Sequence, residues 1–518
     1  MSSAFLINRA KNNRSPVPER EGGQGEGSVS CKAVKEYRAA DGGKMERRKR
    51  NFRFLSKSAK GQWTFSEIRI IIGVEPIERN SRQDSGPPSG PQGVETLNII
   101  TSTLAEGVRL TCLPARKFKT SVLSAQFVAP LTRQSASAFA LIPSVLRRGT
   151  ASYPDMGALS ARLDHLYGAR IDDTVRKIGE RQCVGFVASF LDDRFSPDAE
   201  RLLEPVAELL GELLLQPSLE NGTFQSAYFE SEKSNLLDAI ASIRNDKRLW
   251  AGRRLLSEMC AGEPYGLSRL GEEADAQALD VDALYRRYRN LIASAPLEIV
   301  YCGSADPQRV QDAVQAALSG LPRKDLTTPP DVLPHSPRSD VLNVSDSMDV
   351  TQGKLELGFS CTSPDYMALL MGNTLFGGSS NSKLFMNVRE KLSLCYYASS
   401  SYHRQKGMIT VSSGIEFDHY QRAFDEIMEQ LRMVQNGEFE DWETESATSI
   451  LLNAYASMGD SQGKLENFYL TRAVTGFPET PEELADKIRA MTLERVTEAM
   501  RTVKLDTVYF LKGKEAPQ

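Results

Sequence analysis

Histidine is scarce in this chain. Four occur among 518 residues, at 165, 335, 403 and 419, and no two fall within one helical turn of each other. That excludes a local metal grip in which two imidazoles at i and i+4 share a helix face. Cysteine supplies no substitute. The seven at 31, 112, 183, 260, 302, 361 and 395 form no CxxC pair, and their number is odd. They read as thiols of a reducing compartment, used as small buried hydrophobes, as in the run Ile299-Val-Tyr-Cys302. No stretch of 18 apolar residues is present, so no membrane-spanning helix is expected. The opening residues 1–13 hold a four-residue apolar patch, too short for the core of a secretory signal. A cytoplasmic protein is therefore expected. A net charge of −4 gives no global positive field to draw nucleic acid. There is no phosphate loop ending in GK[ST] and no GxSxG elbow. The run Gly377-Gly-Ser-Ser380 reads as a tight connection between two helices.

Residues 1–94 differ in composition from the rest. They are rich in Gly, Ser, Arg, Glu and Pro, as in Ser85-Gly-Pro-Pro-Ser-Gly-Pro91, and hold too little apolar surface to offset ordering entropy. The expectation is a disordered extension, or one that follows from a start placed too far upstream. The stretch 63–74, with Ile68, Ile70, Ile71 and Ile72, is an exception and suits a short strand. The basic run 45–51 reads as a solvated tail.

Regular patterning begins near Thr96. A hairpin is predicted at 104–114 and an alternating strand at 121–128. Helices follow at 135–146 and 154–167, then two strands, then a helix opening at Ser196-Pro-Asp198. Helices near 223–243, 247–260 and 280–292 lead to a strand at 297–302. The order then repeats: a strand at 354–360, helices at 364–376 and 382–391, strands at 396–403 and 407–414. Helices at 418–435, 440–456, 462–474 and 481–501 precede a last strand at 507–512. Val300–Gly303 aligns with Phe510–Gly513, and 232–243 with 445–456, which reads as an internal duplication. The domains are thus 1–94 as extension, 95–323 as first half, 324–348 as a Pro-, Ser- and Asp-rich linker, and 349–518 as second half.

The segment Leu375-Phe-Gly-Gly-Ser-Ser-Asn-Ser-Lys-Leu-Phe-Met-Asn-Val-Arg-Glu-Lys-Leu-Ser-Leu-Cys-Tyr396 resembles the second-half signature of the pitrilysin-type zinc peptidases, the M16 family. Arg148-Gly-Thr150, the Asp164-His-Leu-Tyr-Gly-Ala169 run and Glu263-Pro-Tyr-Gly266 agree with its first half. The resemblance covers about 96 to 515. It implies an α+β fold of the M16 and LuxS-like metalloenzyme type. Two tandem homologous α+β roll halves, each an antiparallel sheet with helices on one side, would close like a clam.

Active members carry HxxEH on the first-half helix, just before a Gly-Thr. Both His reach one zinc ion, the Glu acts as base on the metal-bound water, and a Glu on a later helix completes the shell. Counting back from Gly149-Thr150 places that motif on Ala140, Leu141, Ile142, Pro143 and Ser144. The distal ligand, seven residues after Glu232, falls on Ala239. The zinc and base positions are thus Ala140, Pro143, Ser144 and Ala239, and none can serve. Pro143 also removes a helix hydrogen bond. The resemblance therefore implies a catalytically inactive chain without cofactor, and predicts no stoichiometric zinc. The remaining histidines are expected at the surface or at caps.

Arg389 and Tyr396 remain, seven apart. In active relatives the equivalent pair reaches across the chamber, holds substrate backbone and steadies the oxyanion, a task suited to a guanidinium fork and a phenol. The competing reading is an Arg at a helix end and a strand Tyr in the core. Spacing does not decide whether Tyr396 or Tyr397 points outward. The implied partner is an active M16 paralogue with an intact HxxEH, acting on a peptide or protein substrate. The alternatives are a structural scaffold subunit and a stand-alone metallopeptidase with an unrecognised site. Arg116-Lys-Phe-Lys-Thr120, Gln352-Gly-Lys-Leu355 and Ser413-Gly-Ile-Glu-Phe417 further resemble a bacterial non-peptidase group associated with the 5-aminopentanol modification of elongation factor P.

Overall fold

Alternating apolar positions make strands that bury one or both faces, and the chain assembles them into two large sheets. The computed structural model describes residues 50–57, 63–70 and 98–514. In the unit 1–93, β1 (Arg50–Lys57) and β2 (Trp63–Ile70) pair antiparallel, with Arg50 opposite Ile70. The strand read at 63–74 is β2. The rest of the extension, and with it the expectation of disorder, lies outside the described residues.

Val94–Gln518 is one compact unit. Its first half contains β3 (Ile100–Ala105), β4 (Val108–Pro114), β5 (Thr120–Pro130), α1 (Arg133–Leu146), α2 (Met156–His165), β6 (Arg170–Ile178), β7 (Arg181–Leu191) and α3 (Leu203–Leu215). After a two-residue pair, β8 (Leu219–Glu220) and β9 (Thr223–Phe224), come α4 (Ser226–Asn245), α5 (Lys247–Met259), α6 (Glu273–Gln277), α7 (Val281–Ser294), β10 (Leu297–Gly303) and α8 (Pro307–Ala317). The second half contains β11 (Leu342–Met348), β12 (Gly353–Cys361), α9 (Tyr366–Phe376), a π-helix (Leu384–Lys391), β13 (Cys395–His403), β14 (Met408–Ile415) and α10 (Tyr420–Asn436). It ends with α11 (Asp441–Ala456), α12 (Gln462–Thr475), α13 (Pro481–Arg489), α14 (Leu493–Met500) and β15 (Val503–Gly513).

The duplication is visible in the strand order. The first sheet runs β3-β4-β10-β5-β7-β6 and the second β11-β15-β12-β14-β13. Leaving out β3, each position matches, including one parallel pair per sheet, β4 with β10 and β11 with β15. All other pairings within these sheets are antiparallel. Side-chain faces refine the alignment of the repeats. Val300 and Cys302 look toward α12, while Tyr509 and Leu511 look toward α5. Val300 therefore corresponds to Tyr509 rather than Phe510, a one-residue slip that motif matching does not detect but strand alternation does.

Each half packs its own helices on one face of its sheet. In the first, α1, α3 and α7 bury Leu141, Val206 and Leu291 against Phe127 and Phe186. In the second, α9, α10 and α14 bury Leu369, Ile427 and Val496 against Leu357 and Val411. The other face is covered by a helix from the opposite half. Helix α5 presents Ala251, Leu255 and Met259, a stripe at four-residue steps, to the second sheet's side. Helix α12 sets Leu465, Tyr469 and Val474 against Leu113, Val128, Cys183 and Val300 of the first sheet. Helices thus lie on both faces, where one face was expected.

Three other expectations change. Residues 342–348, assigned to the linker, are β11, because their backbone completes the parallel edge beside β15. The helix expected at Ser196 begins instead at Leu203, since Asp192 first caps a single 3-10 turn and Ala199 takes a positive φ of 55°. The helix read at 481–501 is two, because the Thr492 side chain accepts from the Arg495 N–H and starts a new helix. All six described cysteines are buried and free.

Candidate functional site

Helix α1 lies against β6 and β7 on one side and α4 on another. Ala140 is 4% exposed and belongs to the first-half core, with Pro143 buried beside it inside the helix. The Ser144 hydroxyl donates to Asp173 Oδ2 at 2.8 Å. Ala239, on α4, is exposed. The scaffold around these positions is intact. The Arg148 guanidinium ties the end of α1 to α4 through Glu232 and through Ser231 Oγ at 2.8 Å. Gly149 fits a turn where an added Cβ would lie 2.6 Å from the Pro154 carbonyl. The Thr150 hydroxyl donates to Glu212 Oε2 at 2.9 Å and accepts from the Tyr153 N–H at 3.0 Å. The Arg-Gly-Thr run is thereby accounted for by structural contacts: Arg148 to α4, Gly149 in the turn and Thr150 to Glu212. Zinc does not fit at this place: a methyl, a pyrrolidine, an engaged hydroxyl and an exposed methyl supply no metal donor set.

Arg389 and Tyr396 occupy a different environment. Arg389 sits on the π-helix, its guanidinium stacked on Phe385 at 4.5 Å and 3.5 Å from Glu390. The wider i→i+5 turn is a known departure at functional places. Tyr396 is the second residue of β13 and sits at a β-bulge, where the register shifts between Cys395 and Tyr397. The extra residue frees its side chain from the ladder's alternation. Tyr396 is 55% exposed, and its phenol donates to Glu416 Oε1 at 2.5 Å. Arg389 and Tyr396 line one groove of about 370 Å³ with Ser393, Leu394, Glu416 and His419. The core-tyrosine reading thus does not describe Tyr396.

Tyr397 turns the other way. Its ring lies under Arg248 of α5 at 4.1 Å, and its hydroxyl is buried without a partner. Next to it Glu356 is 2% exposed, and burial pushes its carboxyl up to about 8, only partly offset by the Ser412 hydroxyl and by Arg248 and Lys354. The sequence reading missed Glu356 and Glu416. An acid in an otherwise apolar strand, Leu355-Glu-Leu357, is the signal that marks Glu356.

Two histidines differ from expectation. His403 is held on both nitrogens, at 2.9 Å from Tyr265 Oη and 2.9 Å from Thr410 Oγ1; burial, with a smaller push from Lys177, lowers it to about 4 and leaves it neutral. His335 is not a surface residue of the connection but 7% exposed, between Glu263 and Asp506. A segment without regular structure is buried here because its polar groups find partners, including the His335 N–H bonded to the Lys406 carbonyl at 2.8 Å. Among the described residues no helix is long and apolar enough to cross a membrane.

Comparison with known proteins agrees with this architecture. The profile described as "Peptidase M16 inactive domain" matches residues 278–451. A Bacillus subtilis (strain 168) protein named "Probable inactive metalloprotease YmfF" is 34% identical over 418 residues, covering 79% of this chain and 96% of that protein. The crystal structure of a conserved protein from Enterococcus faecalis V583 superposes with a TM-score of 0.75 at 27% identity, over 81% of this chain and 100% of the other. That of a peptidase M16 inactive domain from Pseudomonas fluorescens gives 0.67 at 17% identity, over 82% and 100%.

Proposed function

The chain belongs to the M16 peptidase family, as an inactive peptidase-like member, and from that premise we propose that it is the noncatalytic subunit of a two-chain peptidase. Its partner is an M16 paralogue with an intact HxxEH, and this chain contributes Arg389 and Tyr396 to peptide bound at the partner's zinc. One observation carries the reading: the pair lines an open groove, while the former zinc positions hold core and surface methyls, a proline and an engaged serine. A guanidinium and a phenol at one rim supply donors to a peptide carbonyl and to the oxyanion formed as water attacks it. Glu416, which holds the phenol, would have to release it when substrate enters.

That same contact supports a second reading, a scaffold subunit whose phenol only braces a strand end. The test is to reconstitute the pair and compare wild type, Tyr396→Phe and Arg389→Ala on one peptide. A steep loss of rate with assembly intact supports the first reading; unchanged rates in both variants leave the scaffold. The narrower link to elongation factor P modification rests on the resemblance carried by 116–120, 352–355 and 413–417. Co-purification from the native cell, followed by identification of the bound chain, tests that link and the partner together. A cytoplasmic setting suits the buried free thiols.

A further inference from the structure

Where the two halves and the connecting segment meet, three unlike donors converge. Cys260 caps the C-terminus of α5, Glu263 follows three residues on, and His335 comes from the connection. The Cys260 sulfur, a Glu263 oxygen and a His335 ring nitrogen all lie within 4.8 Å of one another. Among the described residues this is the one trio of His, Cys, Asp or Glu so placed. Cys260 and His335 are buried, while the Glu263 side chain is 24% exposed, which leaves a way in from solvent.

The surrounding groups orient this trio. His335 Nδ1 faces Glu263 Oε1 at 2.6 Å, and its Nε2 lies 3.3 Å from Asp506 Oδ2. Asp506 is held in turn by the Arg338 N–H at 2.9 Å. A carboxylate behind the far nitrogen fixes the tautomer and aims the near nitrogen, the arrangement metal-binding imidazoles use. Glu263 Oε2 forms an ion pair with the Lys406 ammonium at 2.7 Å; Glu180 Oε1, 2.6 Å from the same ammonium, keeps the lysine paired if Glu263 turns toward an ion. The Cys260 sulfur also lies 3.7 Å from the Met408 thioether.

Charge is consistent with an ion here. With both imidazole nitrogens facing carboxylates, His335, Lys406 and Arg338 are three cations opposite Glu180, Glu263 and Asp506. Replacing the thiol proton and the Nδ1 proton by one divalent cation leaves that balance unchanged. The 2.6 Å separation of Nδ1 and Oε1 then widens, because two ligands each about 2.0 Å from a tetrahedral ion lie about 3.3 Å apart.

We propose that Cys260, Glu263 and His335 bind one divalent ion of the zinc class, with Asp506 as the orienting carboxylate. The thiolate, imidazole and carboxylate donors select zinc over calcium or magnesium. The ion clasps the end of α5, the connection and, through Asp506, β15 of the second half. It is separate from the 140–144 motif, on which the sequence expectation of a zinc-free chain rests.

The test uses the full chain after chelator treatment, titrated with Co²⁺. The expected result is about one cobalt per chain, with tetrahedral visible bands and a thiolate-to-cobalt band in the near ultraviolet. Cys260→Ser should lose the near-ultraviolet band, and Cys183→Ser should keep it. Asp506→Asn should bind about 10- to 100-fold more weakly, which gives a second reading if Cys260→Ser does not fold. Absence of uptake by the folded wild type overturns the proposal, as does cobalt binding without the thiolate band. Neither outcome bears on the Arg389–Tyr396 kinetics, so the two proposals fail independently.

Discussion

The two halves share a strand order and an order of helices, yet differ in what their equivalent helices expose. In the first half, α1 follows the central strand and has become core: Ala140 and Pro143 are packed, and Ser144 is spent on Asp173. In the second half, α9 is equally buried, but the following π-helix and the bulge at Tyr396 hold Arg389 and Tyr396 at the surface. The first half holds together without metal donors at 140, 143, 144 and 239. The sheets are sandwiched by α5 and α12 exchanged between halves, so stability resides in apolar burial that needs no metal donor at those positions.

The largest expected effect separates the two adjacent tyrosines. In the reconstituted pair, Tyr396→Phe should slow peptide hydrolysis by about 10²- to 10³-fold, the cost of one preorganised oxyanion donor. Tyr397→Phe should leave the rate nearly unchanged, since its ring lies under Arg248 within the chain and its hydroxyl is buried away from the groove. Equal losses from both would mean that the bulge does not divide their roles. Steady-state kinetics on a single peptide decides it.

The exchanged helices come next. Leu255 and Leu465 are each 1% exposed, and Leu255→Ala or Leu465→Ala should cost about 3 kcal/mol by opening a cavity between the halves. Because each helix covers the other half's sheet, denaturant unfolding of either variant should remain a single transition coincident for both halves. Two separated transitions, followed by near-ultraviolet and far-ultraviolet dichroism, would show that the exchange does not couple them.

Glu356 gives the comparison a pH dependence, since the first half has the neutral Ser124 at the equivalent strand position. Its folded-state value, about 8, lies above the unfolded 4.5 because burial disfavours the carboxylate. The folded state therefore holds the proton more tightly. This contribution is complete below about pH 4.5 and is lost as pH rises through 8. Wild type should lose about 2 kcal/mol relative to Glu356→Gln between pH 6.5 and 9, read from urea midpoints. Parallel curves for the two proteins would remove Glu356 as the cause.

The smallest effect concerns the vacated motif. Pro143→Ala restores one helix hydrogen bond in α1 but also frees the unfolded chain, so a gain of only about 1 kcal/mol is expected. A large loss in thermal unfolding experiments would mean that Pro143 is held by its neighbours as a packing element.

The sequence by itself determined the duplication, most elements and the lack of His or Glu at positions 140, 143, 144 and 239. Each of these depends on residue type at fixed spacing: apolar period, signature residues, and the identity of positions 140, 143, 144 and 239. Tertiary structure alone decided the rest. Helices α5 and α12 are amphipathic wherever they dock, and nothing local says that they dock on the opposite half's sheet. Strand β11 is only half apolar, so it reads as linker until β15 lies beside it. The direction of Tyr396 depends on a bulge created by pairing with β14, not on the residues of β13. His335 lies 72 residues from Glu263 and 171 from Asp506 in sequence, and no spacing rule joins them. They meet because the connection must cross between the halves, where a buried imidazole is stable only beside the carboxylates that each half supplies.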